Sequence, residues 1–322
     1  MTMSALPAHL GAAATSTVVV CTYSMDRLDD LVACLDGIRS LRQSPDEVLV
    51  VVDHNAELAQ LLAASRLDIR VVANRFTKGL SGARNTAIEE ATGDVLVFLD
   101  DDAVPDQDWL EGIMAPFANA AVAVVGGHIE PAWPTARPGW FPPHLDWTIG
   151  CSIPSLPPAG GPVRNVYGAS AAFRRSELAA VGGFPTELGR IGADAAGCEE
   201  TDVCIRIRQR VPSALVMYAP ESNVHHRVTT ERATPRYVMR RCYAEGKSKA
   251  RLAARVGSSD ATSDERGYAL VILRTAFTDV VTAVAHPIRA ARAAVLVGGL
   301  GAASFGYLKQ SLTMRMARSA RA

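Results

Sequence analysis

The stretch "ATGDVLVFLDDDAVPDQDWLEG" (91–112) decides the fold, because a buried strand runs directly into a cluster of carboxylates there. The apolar run 94–100 is typical of a fully buried strand, and a helix is predicted to begin at Asp106 or Gln107. The three consecutive aspartates at 100–102 would repel one another if all were ionised and unpaired. A bound Mg²⁺ or Mn²⁺, which prefers oxygen ligands, would offset that repulsion. The alternative is a solvated acidic turn that caps the following helix.

Strands and helices alternate on the N-terminal side of this stretch. Short apolar runs predict strands, and apolar residues at helical spacing predict helices between them. The predicted strands are 16–24, 47–53 and 68–74, and the predicted helices are 26–40, 55–65 and 81–91. This alternation argues for an α/β fold with a mainly parallel sheet flanked by helices. Ligands bind beyond the carboxyl ends of such strands, so Thr22, Tyr23, Asp53 and 100–102 are expected at one rim.

The pattern changes after about residue 130. The segment "EPAWPTARPGWFPPHLDWT" (130–148) is rich in proline, which blocks regular elements, so we expect a long surface loop. The remaining predicted elements are a strand, a short helix and a Gly-Gly turn in 164–184, a helix at 198–210, two short strands around Pro220 in 214–228, a basic helix at 235–256 and alanine-rich helices in 265–322.

Bulk composition excludes some classes of function. The chain carries 33 basic and 33 acidic side chains, and a net charge of zero argues against a nucleic-acid partner. The six cysteines form no C-x-x-C pair, which indicates reduced thiols in the cytoplasm and not a disulfide framework or a thiolate zinc site. Residues 1–15 have neither a basic nor a long apolar segment, so we interpret them as a disordered lead and not a signal peptide.

The glycine-punctuated segment "TKGLSGARN" (77–85) leads into a helix for which Ser81 is the expected N-cap. It offers Lys78, Arg84 and the free amides of a helix start, a combination that suits a diphosphate. The alternative is an ordinary helix cap with solvated basic residues.

Asp53, at the end of a buried strand, is a candidate to bind a base or a ribose, and its alternative is a simple Asx turn.

A second group of carboxylates begins the predicted helix at 198–210. Glu199 and Asp202 are three residues apart and share a face, whereas Glu200 points elsewhere and is placed to reach a cleft as a general base. The alternative is a charged helix start stabilised by pairs such as Asp202 with Arg206.

Ring side chains supply further candidate contacts. One of the adjacent His225 and His226, near the acidic clusters, is a candidate to complete a metal shell or to touch a diphosphate. The aromatic residues Trp133, Trp140, Phe141 and Trp147 are candidates to stack on a sugar or an apolar acceptor, and the alternative is that they pin the loop by being buried.

In chain order, the informative segments are "VVVCTYSMDR" (18–27), "VLVVVD" (48–53), "KGLSGARNTAIEEATGDVLVFLDDDAVPDQDWL" (78–110), "GASAAFRRSELAAVGGF" (168–184), "CEETDVCIRIRQR" (198–210) and "VHHRV" (224–228). Together they resemble the family 2 glycosyltransferases, which have the A-type nucleotide-diphospho-sugar transferase fold. The resemblance covers roughly residues 16–230, and the block 78–110 is its most specific part. It implies a metal-dependent, inverting glycosyltransferase of the hexosyltransferase type.

The resemblance also implies roles for individual residues. Thr22, Tyr23 and Asp53 match positions that hold the nucleotide base and ribose, and Arg84 matches the basic residue near the diphosphate. We group Lys78 with these donor-binding residues from its place in the same loop.

The acidic triplet matches the family's D-x-D. Its first member usually faces the ribose and its last holds the metal, which implies these roles for Asp100 and for Asp102 with Mn²⁺ or Mg²⁺. Apart from the resemblance, we add Asp100 and His226 as candidate metal ligands. Asp101 could share either function, and we group it with the donor-binding residues.

Three departures from the family pattern refine this expectation. Position 200 is glutamate where the family usually has aspartate, which leaves open whether Glu199 or Glu200 is the base. His54 replaces a frequent second aspartate, and the Q-x-x-R-W signature of polymerising members is absent. We therefore expect transfer of a single sugar from a nucleotide-diphosphate sugar, with UDP as the commonest nucleotide, to an acceptor hydroxyl that can be lipid-linked.

Two other classes stay open from sequence alone: a sugar nucleotidyltransferase, and a non-catalytic sugar-nucleotide-binding module on the same fold. The first would show a basic glycine-rich loop after the first strand, where this chain has "CTYSMDRLDD" (21–30). The second would be expected to lose carboxylates that are present here.

The resemblance divides the chain into a catalytic domain and a C-terminal region. The domain spans 16–232, with a nucleotide-binding half at 16–130 and an acceptor half at 131–232, and the helical region is 233–322. The apolar runs 269–285 and 293–308 are each shorter than the roughly 20 residues of a spanning helix. Two expectations stand for these helices: packing on the domain or in a homodimer, or a basic amphipathic surface that rests peripherally on the anionic inner face of the cell membrane.

Overall fold

The computed structural model describes residues 14–65, 68–189 and 197–319. Most of the predicted lead, 1–13, therefore lies outside the described residues. Within them, one mixed sheet is covered by helices on both faces, and further helices follow at the C-terminal end. The predicted α/β fold with a C-terminal helical extension is confirmed.

The strands form one sheet in the order β3-β2-β1-β4-β8-β6-β9-β5, with β7 beside β9. Pairing shows that β1, β2, β3, β4, β6 and β9 run in one direction, whereas β5, β7 and β8 run against them. The described strands are β1 Ser16–Thr22, β2 Glu47–Val52, β3 Arg70–Ala73, β4 Val95–Asp100, β5 Ala103–Pro105, β6 Val122–Ala132, β7 Gly161–Pro162, β8 Ser170–Arg174 and β9 Leu215–Arg227.

Helices connect the strands and then continue alone to the end of the described chain. The α-helices are α1 Leu28–Arg39, α2 Ala56–Ala64, α3 Leu80–Glu90, α4 Trp109–Met114, α5 Arg175–Ala180, α6 Glu199–Arg210, α7 Pro235–Val256, α8 Ser258–Ala261, α9 Glu265–Thr282 and α10 Ile288–Ser319. Short 3-10 helices lie at Met25–Arg27, Ala115–Ala118 and Pro143–Ile149.

The central strands are apolar throughout because both of their faces are covered. In β1, Val18 and Val20 pack into a core on one face of the sheet, while Val19 packs into the core on the other face. All three are fully buried. Continuous apolar runs such as "TVVVC" are what parallel strands with helices on both sides require.

The proline-rich segment 130–148 is more ordered than we predicted. Its first residues complete β6, and its end forms the 3-10 helix Pro143–Ile149. The prediction of a surface loop is wrong for these parts, because Phe141 and Leu145 are buried in the core. Proline is compatible with a first helical turn, and Pro143 begins this one.

The predicted pair of short strands around Pro220 is a single strand, β9. Its parallel register with β6 skips from Ala219 to Asn223, so the residues between them form an irregularity. A proline is tolerated at such a site because its missing N–H removes no ladder hydrogen bond. The helix expected from Asp106 or Gln107 begins later, at Trp109, because β5 and a turn come first.

The C-terminal helices pack against one another and against the sheet-containing part of the chain. The backbones of α7 and α10 approach closely at Gly246 and Gly306: a Cβ on Gly246 would lie 1.9 Å from the Ala303 carbonyl oxygen, and one on Gly306 would lie 2.2 Å from the Tyr243 carbonyl oxygen. In α9, Glu265 accepts two hydrogen bonds from Arg164, at 2.9 and 3.0 Å. These contacts fix both helices to the rest of the chain.

Among the described residues, one helix is long and apolar enough to cross a membrane by length and composition alone. It is Ile288–Ala317, with a mean hydropathy of 1.3 in its most apolar window. We judged the run 293–308 too short to span, but the helix that contains it meets the length criterion. Its position in the molecule, and not its length, must therefore decide its relation to a membrane.

Candidate active site

The acidic triplet lies at the carboxyl rim of the sheet, beside the end of β1. Asp100 ends β4 opposite Cys21 of β1, and Asp101 and Asp102 form the turn into β5. Strand β5 then pairs with β9 so that Ala103 lies opposite His226. This register brings the His226 ring beside Asp102, with Nε2 at 3.1 Å from Oδ1.

Arg27, in the 3-10 helix after β1, neutralises much of the charge of the triplet. Its Nη2 lies 2.5 Å from Asp101 Oδ1 and 2.8 Å from Asp102 Oδ2, and its Nε donates to Asp101 Oδ2 at 3.1 Å. Arg232 lies 3.6 Å from Asp102. The repulsion within the triplet is therefore offset by guanidinium groups of the chain itself, before any cation binds. Sequence reasoning missed both arginines, although Arg27 lies within the quoted segment 18–27.

The two inner aspartates have opposite pKa shifts. Burial raises the pKa of Asp101 to about 6, although Arg27 acts in the opposite direction. Burial also acts to raise the pKa of Asp102, but His226, Arg27 and Arg232 lower it by more, so it lies well below its ordinary value. Asp102 therefore stays ionised as a ligand must, whereas Asp101 takes up a proton at a higher pH than an ordinary aspartate.

Three side chains at this rim fit a divalent cation. Asp100, Asp102 and His226 each offer one ligand atom, and these atoms lie within 4.8 Å of one another. Two carboxylates and an imidazole suit Mn²⁺ and also Mg²⁺. The residues we selected as metal ligands are thus the ones the fold brings together. Asp100 is the most exposed of the triplet, so its carboxylate stays accessible.

The candidate nucleotide-binding residues line the same rim at the ends of β1 and β2. Asp53 accepts hydrogen bonds from Asn74 Nδ2 at 2.6 Å and from the Gly79 N–H at 2.9 Å. It therefore fixes the loop before α3 instead of forming a simple Asx turn. Thr22 is buried at the end of β1, and Tyr23 beyond it is half-exposed.

The loop before α3 differs from the sequence prediction in its cap. Gly79 is the N-cap of α3, with a φ of 127° that favours glycine, and the predicted N-cap Ser81 lies buried inside the helix. Lys78 is exposed next to this cap. The loop thus presents a free ammonium group at the rim where a donor diphosphate is expected.

Arg84 lies buried between the two carboxylate groups. Its Nη1 is 2.7 Å from Glu200 Oε1 and 3.5 Å from Glu199 Oε1, and its Nη2 is 3.8 Å from Asp100 Oδ1. Its guanidinium also stacks over the rings of Phe98 and Phe184, at 5.6 and 5.3 Å. Burial acts to lower the pKa of Arg84, but Glu200, Glu199 and Asp100 raise it by more. Arg84 is therefore a permanent cation that connects both clusters.

Glu199 and Glu200 begin α6, after Cys198 in the left-handed conformation at φ 76°. Glu199 is almost fully buried, whereas the Glu200 side chain is 14% exposed. Beneath Glu200, a Cβ on Gly168 would lie 1.9 Å from Glu200 Oε1, so only glycine leaves room there. No signal in a single sequence reveals this dependence.

Asp202 has a structural role. It is fully buried and lies 2.5 Å from Arg206 Nε and 2.9 Å from Arg255 Nε. The alternative that we kept open from sequence, a pair with Arg206, is thus correct for this residue. Among the three carboxylates, Glu200 remains the one that is held in place and still exposed.

A cleft of about 1200 Å³ joins these groups to the C-terminal helices. Its lining combines Asp100, His226, Glu199 and Glu200 with Tyr268 and Ile272 of α9 and with Leu296, Leu300, Ala303 and Tyr307 of α10. A polar reaction centre and an apolar wall therefore share one space.

The three candidate acceptor tryptophans lie in different surroundings. Trp147 lines the cleft, and its Nε1 donates to the Tyr268 hydroxyl at 2.8 Å. Trp133 and Trp140 instead pack against Phe141, with ring centroids at 5.2 and 5.3 Å. The structure thus places one of the three where a substrate could touch it.

A sheet of this topology, with a metal-ligand set at its carboxyl rim and a glutamate held in the same cleft, fits an enzyme that transfers a sugar from a nucleotide-sugar donor. The chain belongs to glycosyl transferase family 2, whose sequence profile matches residues 17–181. It is a glycosyltransferase, as the resemblance implied, and this assignment sets aside the nucleotidyltransferase and the non-catalytic binding module.

Two relatives and one solved structure illustrate the similarity. The chain is 33% identical over 237 residues to the glucosyl-dolichyl phosphate glucuronosyltransferase of Haloferax volcanii, covering 72% of this chain and 75% of that protein. It is 27% identical over 243 residues to the succinoglycan biosynthesis protein ExoM of Rhizobium meliloti, covering 73% and 74%. The mannosyltransferase PcManGT of Pyrobaculum calidifontis, solved with GDP-mannose and Mn²⁺, superposes with a TM-score of 0.58 at 19% identity, covering 92% and 88%.

Proposed function

We propose that this glycosyltransferase moves one sugar from a nucleotide-diphosphate sugar to a hydroxyl of a lipid-linked acceptor, with inversion at the anomeric carbon and in the presence of Mn²⁺ or Mg²⁺. The observation that carries the proposal is the shared cleft: Asp100 and His226 line the same space as the carboxylate of Glu200, and the ligand atom of Asp102 lies within 4.8 Å of those of Asp100 and His226. Such a reaction serves cell-wall, polysaccharide, glycolipid or secondary-metabolite biosynthesis.

The donor is held at the carboxyl rim of the sheet. Thr22, Tyr23 and Asp53 are proposed to contact the base and the ribose, and Lys78 the diphosphate, with UDP as the expected nucleotide. Asp100, Asp102 and His226 would hold a divalent cation, which when bound would neutralise the charge that develops on the leaving diphosphate.

Glu200 is proposed as the general base, in preference to Glu199. Arg84 holds Oε1 of Glu200 at 2.7 Å, and the other oxygen, Oε2, has no hydrogen-bond partner among the described residues. Glu199 is almost completely buried beside the same guanidinium. A base must reach an acceptor hydroxyl in the cleft, and this favours the more exposed carboxylate.

The donor, the acceptor and Glu200 together account for every bond and proton that changes in the proposed transfer. The acceptor oxygen attacks the anomeric carbon on the face opposite the nucleotide, and its proton passes to Glu200. The bond between the anomeric carbon and the diphosphate oxygen breaks, and its electron pair leaves with the nucleoside diphosphate. The absence of the polymerising signature supports one transfer per acceptor.

The apolar part of the cleft supports a lipid-linked acceptor. Leu296, Leu300 and Tyr307 line it beside Trp147. The relative at 33% identity is named for a glucosyl-dolichyl phosphate, which gives independent support for an acceptor that carries a lipid. We place the enzyme in the cytoplasm, where nucleotide sugars are available.

A donor panel tests the proposal. The full chain is incubated with Mn²⁺, extracted cell lipids and, in turn, UDP-glucose, UDP-glucuronic acid, UDP-N-acetylglucosamine and GDP-mannose. We expect release of a nucleoside diphosphate with one of these donors, dependent on the cation and on the lipid extract, and a product one sugar heavier by mass spectrometry. Release of pyrophosphate, or turnover that needs no cation, would contradict the proposal.

A further inference from the structure

The outer surface of α9 and α10 is unusually apolar. Of the large apolar side chains that are exposed among the described residues, most lie between positions 270 and 316. In α9 and the turn after it they recur at helical spacing, and in α10 they form a second stripe. The stripes are Leu270, Leu273, Phe277, Val280, Val281 and Val284, and Val297, Phe305, Leu308, Leu312 and Met316, of which Leu308 also lines the cleft. We call these two stripes together the apolar face.

Basic residues accompany the apolar face, and acidic residues do not. Arg274 and Lys309 are exposed, as is Arg315 near the end of α10. No acidic residue follows Asp279 in the sequence, and Asp279 itself is buried with its carboxylate 3.4 Å from Arg292 Nε. The surface therefore combines exposed apolar side chains with uncompensated positive charge.

This charge pattern identifies the occupant of the apolar face. In a two-fold dimer, the same patch of both copies meets itself, so the cations of one copy would face those of the other. An anionic bilayer instead offers an apolar layer for the stripes and negative headgroups for the basic side chains. We propose that the apolar face of α9 and α10 docks on the surface of an anionic membrane.

The packing of α10 shows that it lies on the membrane and does not cross it. It is held along α7 by the close contacts at Gly246 and Gly306. Helix α7 carries eight charged side chains in 22 residues, so it cannot enter the hydrocarbon with its neighbour. A helix with a charged partner helix on one side and apolar side chains on the other is suited to lie in the plane of the membrane–water interface.

Docking on a membrane would explain how the enzyme reaches a lipid-linked acceptor. This part of the inference rests on the proposed function. The inner sides of the same helices line the cleft through Ile272 of α9 and through Leu296 and Leu300 of α10. Helices that contact the membrane on one side and the cleft on the other bring the reaction centre next to an acceptor whose lipid stays in the bilayer.

Vesicle flotation with the full chain tests the docking, without donor or cation, so that its result is independent of catalysis. The vesicles are phosphatidylcholine alone, or phosphatidylcholine with about 30% phosphatidylglycerol. We expect at least about 10-fold stronger binding to the anionic vesicles and release by high salt. No binding to either vesicle, or retention after high salt and an alkaline wash, would overturn surface docking.

Matched variants separate the two components. Lys309→Gln with Arg315→Gln should weaken binding to anionic vesicles about 30-fold, and Phe277→Ser about 10-fold. The controls are Arg39→Gln with Arg42→Gln, which remove the same charge from exposed positions near α1, and Leu61→Ser, which replaces an exposed leucine of α2. Equal losses in the controls would overturn the assignment of the surface.

Two further measurements show whether a variant loses vesicle binding because it unfolds or because its oligomeric state changes. Thermal unfolding must be unchanged in the variants, and light scattering after size exclusion reports the oligomeric state. A dimer that Phe277→Ser converts to a monomer, in a chain that binds no vesicles, would show that a second copy covers the apolar face. If the donor panel fails while vesicles still bind, the docking stands and the proposed transfer falls.

Discussion

The two carboxylate clusters of the active site are built from similar residues but are neutralised differently. In the rim cluster at 100–102, Arg27 pairs with Asp101 and Asp102 and leaves Asp100 as the most exposed member. In the cluster that begins α6, Arg84 pairs with Glu200 at the edge of the cleft. The comparison teaches that the surroundings of each acid are set by its cationic partner and its exposure, not by its place in an acidic run.

The largest expected effect distinguishes the two glutamates of α6. Glu200→Gln removes the proton acceptor and should lower kcat by about 10²- to 10⁴-fold with little change in donor affinity. Steady-state kinetics and calorimetric titration of the donor measure the two quantities. Glu199→Gln is the matched control, and a larger loss of kcat in that variant would reverse the assignment of the base.

The second prediction concerns the arginine of the rim cluster. Arg27→Ala leaves Asp101 and Asp102 without their closest guanidinium and should lower the free energy of unfolding by about 3 kcal/mol, as expected when a buried ion pair loses one partner. Urea denaturation measures this change. Arg42→Ala breaks an exposed pair with Asp108 and should cost under about 1 kcal/mol. Similar costs for both variants would mean that the rim cluster is not held by Arg27.

The third prediction separates two neighbouring aspartates of the rim. Asp102→Asn removes a candidate cation ligand and should weaken Mn²⁺ binding by about 100-fold. The Asp101 side chain binds Arg27 and is not one of the candidate ligands, so Asp101→Asn should change Mn²⁺ affinity far less. Calorimetric titration of Mn²⁺ into the full chain gives both affinities, with circular dichroism as the check on folding. An equal loss in the two variants would show that the triplet binds the cation as one undivided group.

The smallest expected effect extends the comparison to a third charged group, at the start of α9. Burial acts to raise the pKa of Glu265, but Lys249 and Arg164 lower it by more, to about 2. Because the folded pKa is below the unfolded value, this stabilisation is present above about pH 4.5 and is lost as the pH falls towards 2.

Glu265→Gln should therefore lower the free energy of unfolding by about 2 kcal/mol at pH 7, after allowance for partial exposure, and by progressively less below pH 4.5. Denaturation curves at several pH values measure the difference, with Glu57→Gln on the exposed side of α2 as control. A difference that is constant with pH would show that Glu265 contributes through packing and not through charge.

Much of the fold could be predicted from sequence because its signals are local. The strand ends that carry Thr22, Asp53 and Asp100 are marked by apolar runs followed by polar residues, and parallel strands then require those ends to meet. The acidic groups of the site were found in the same way.

What could not be predicted depends on contacts between distant segments. Arg27 and Arg84 carry no local sign that their partners lie about 70 and 115 residues away. The continuity of β9 through Pro220 depends on its register with β6, and the order in 130–148 depends on burial of Phe141. Pairing and burial of this kind are set by tertiary packing, which overrides local propensity.

The glycine crossing of α7 and α10 has a consequence for how this enzyme can diverge. At Gly246 and Gly306 the two main chains meet without an intervening side chain, so main-chain shape alone sets their spacing there. Substitutions on the outward side of α10 can therefore accumulate without altering the dimensions of the cleft behind it. The outward side and the cleft side of this one helix can thus change independently of each other.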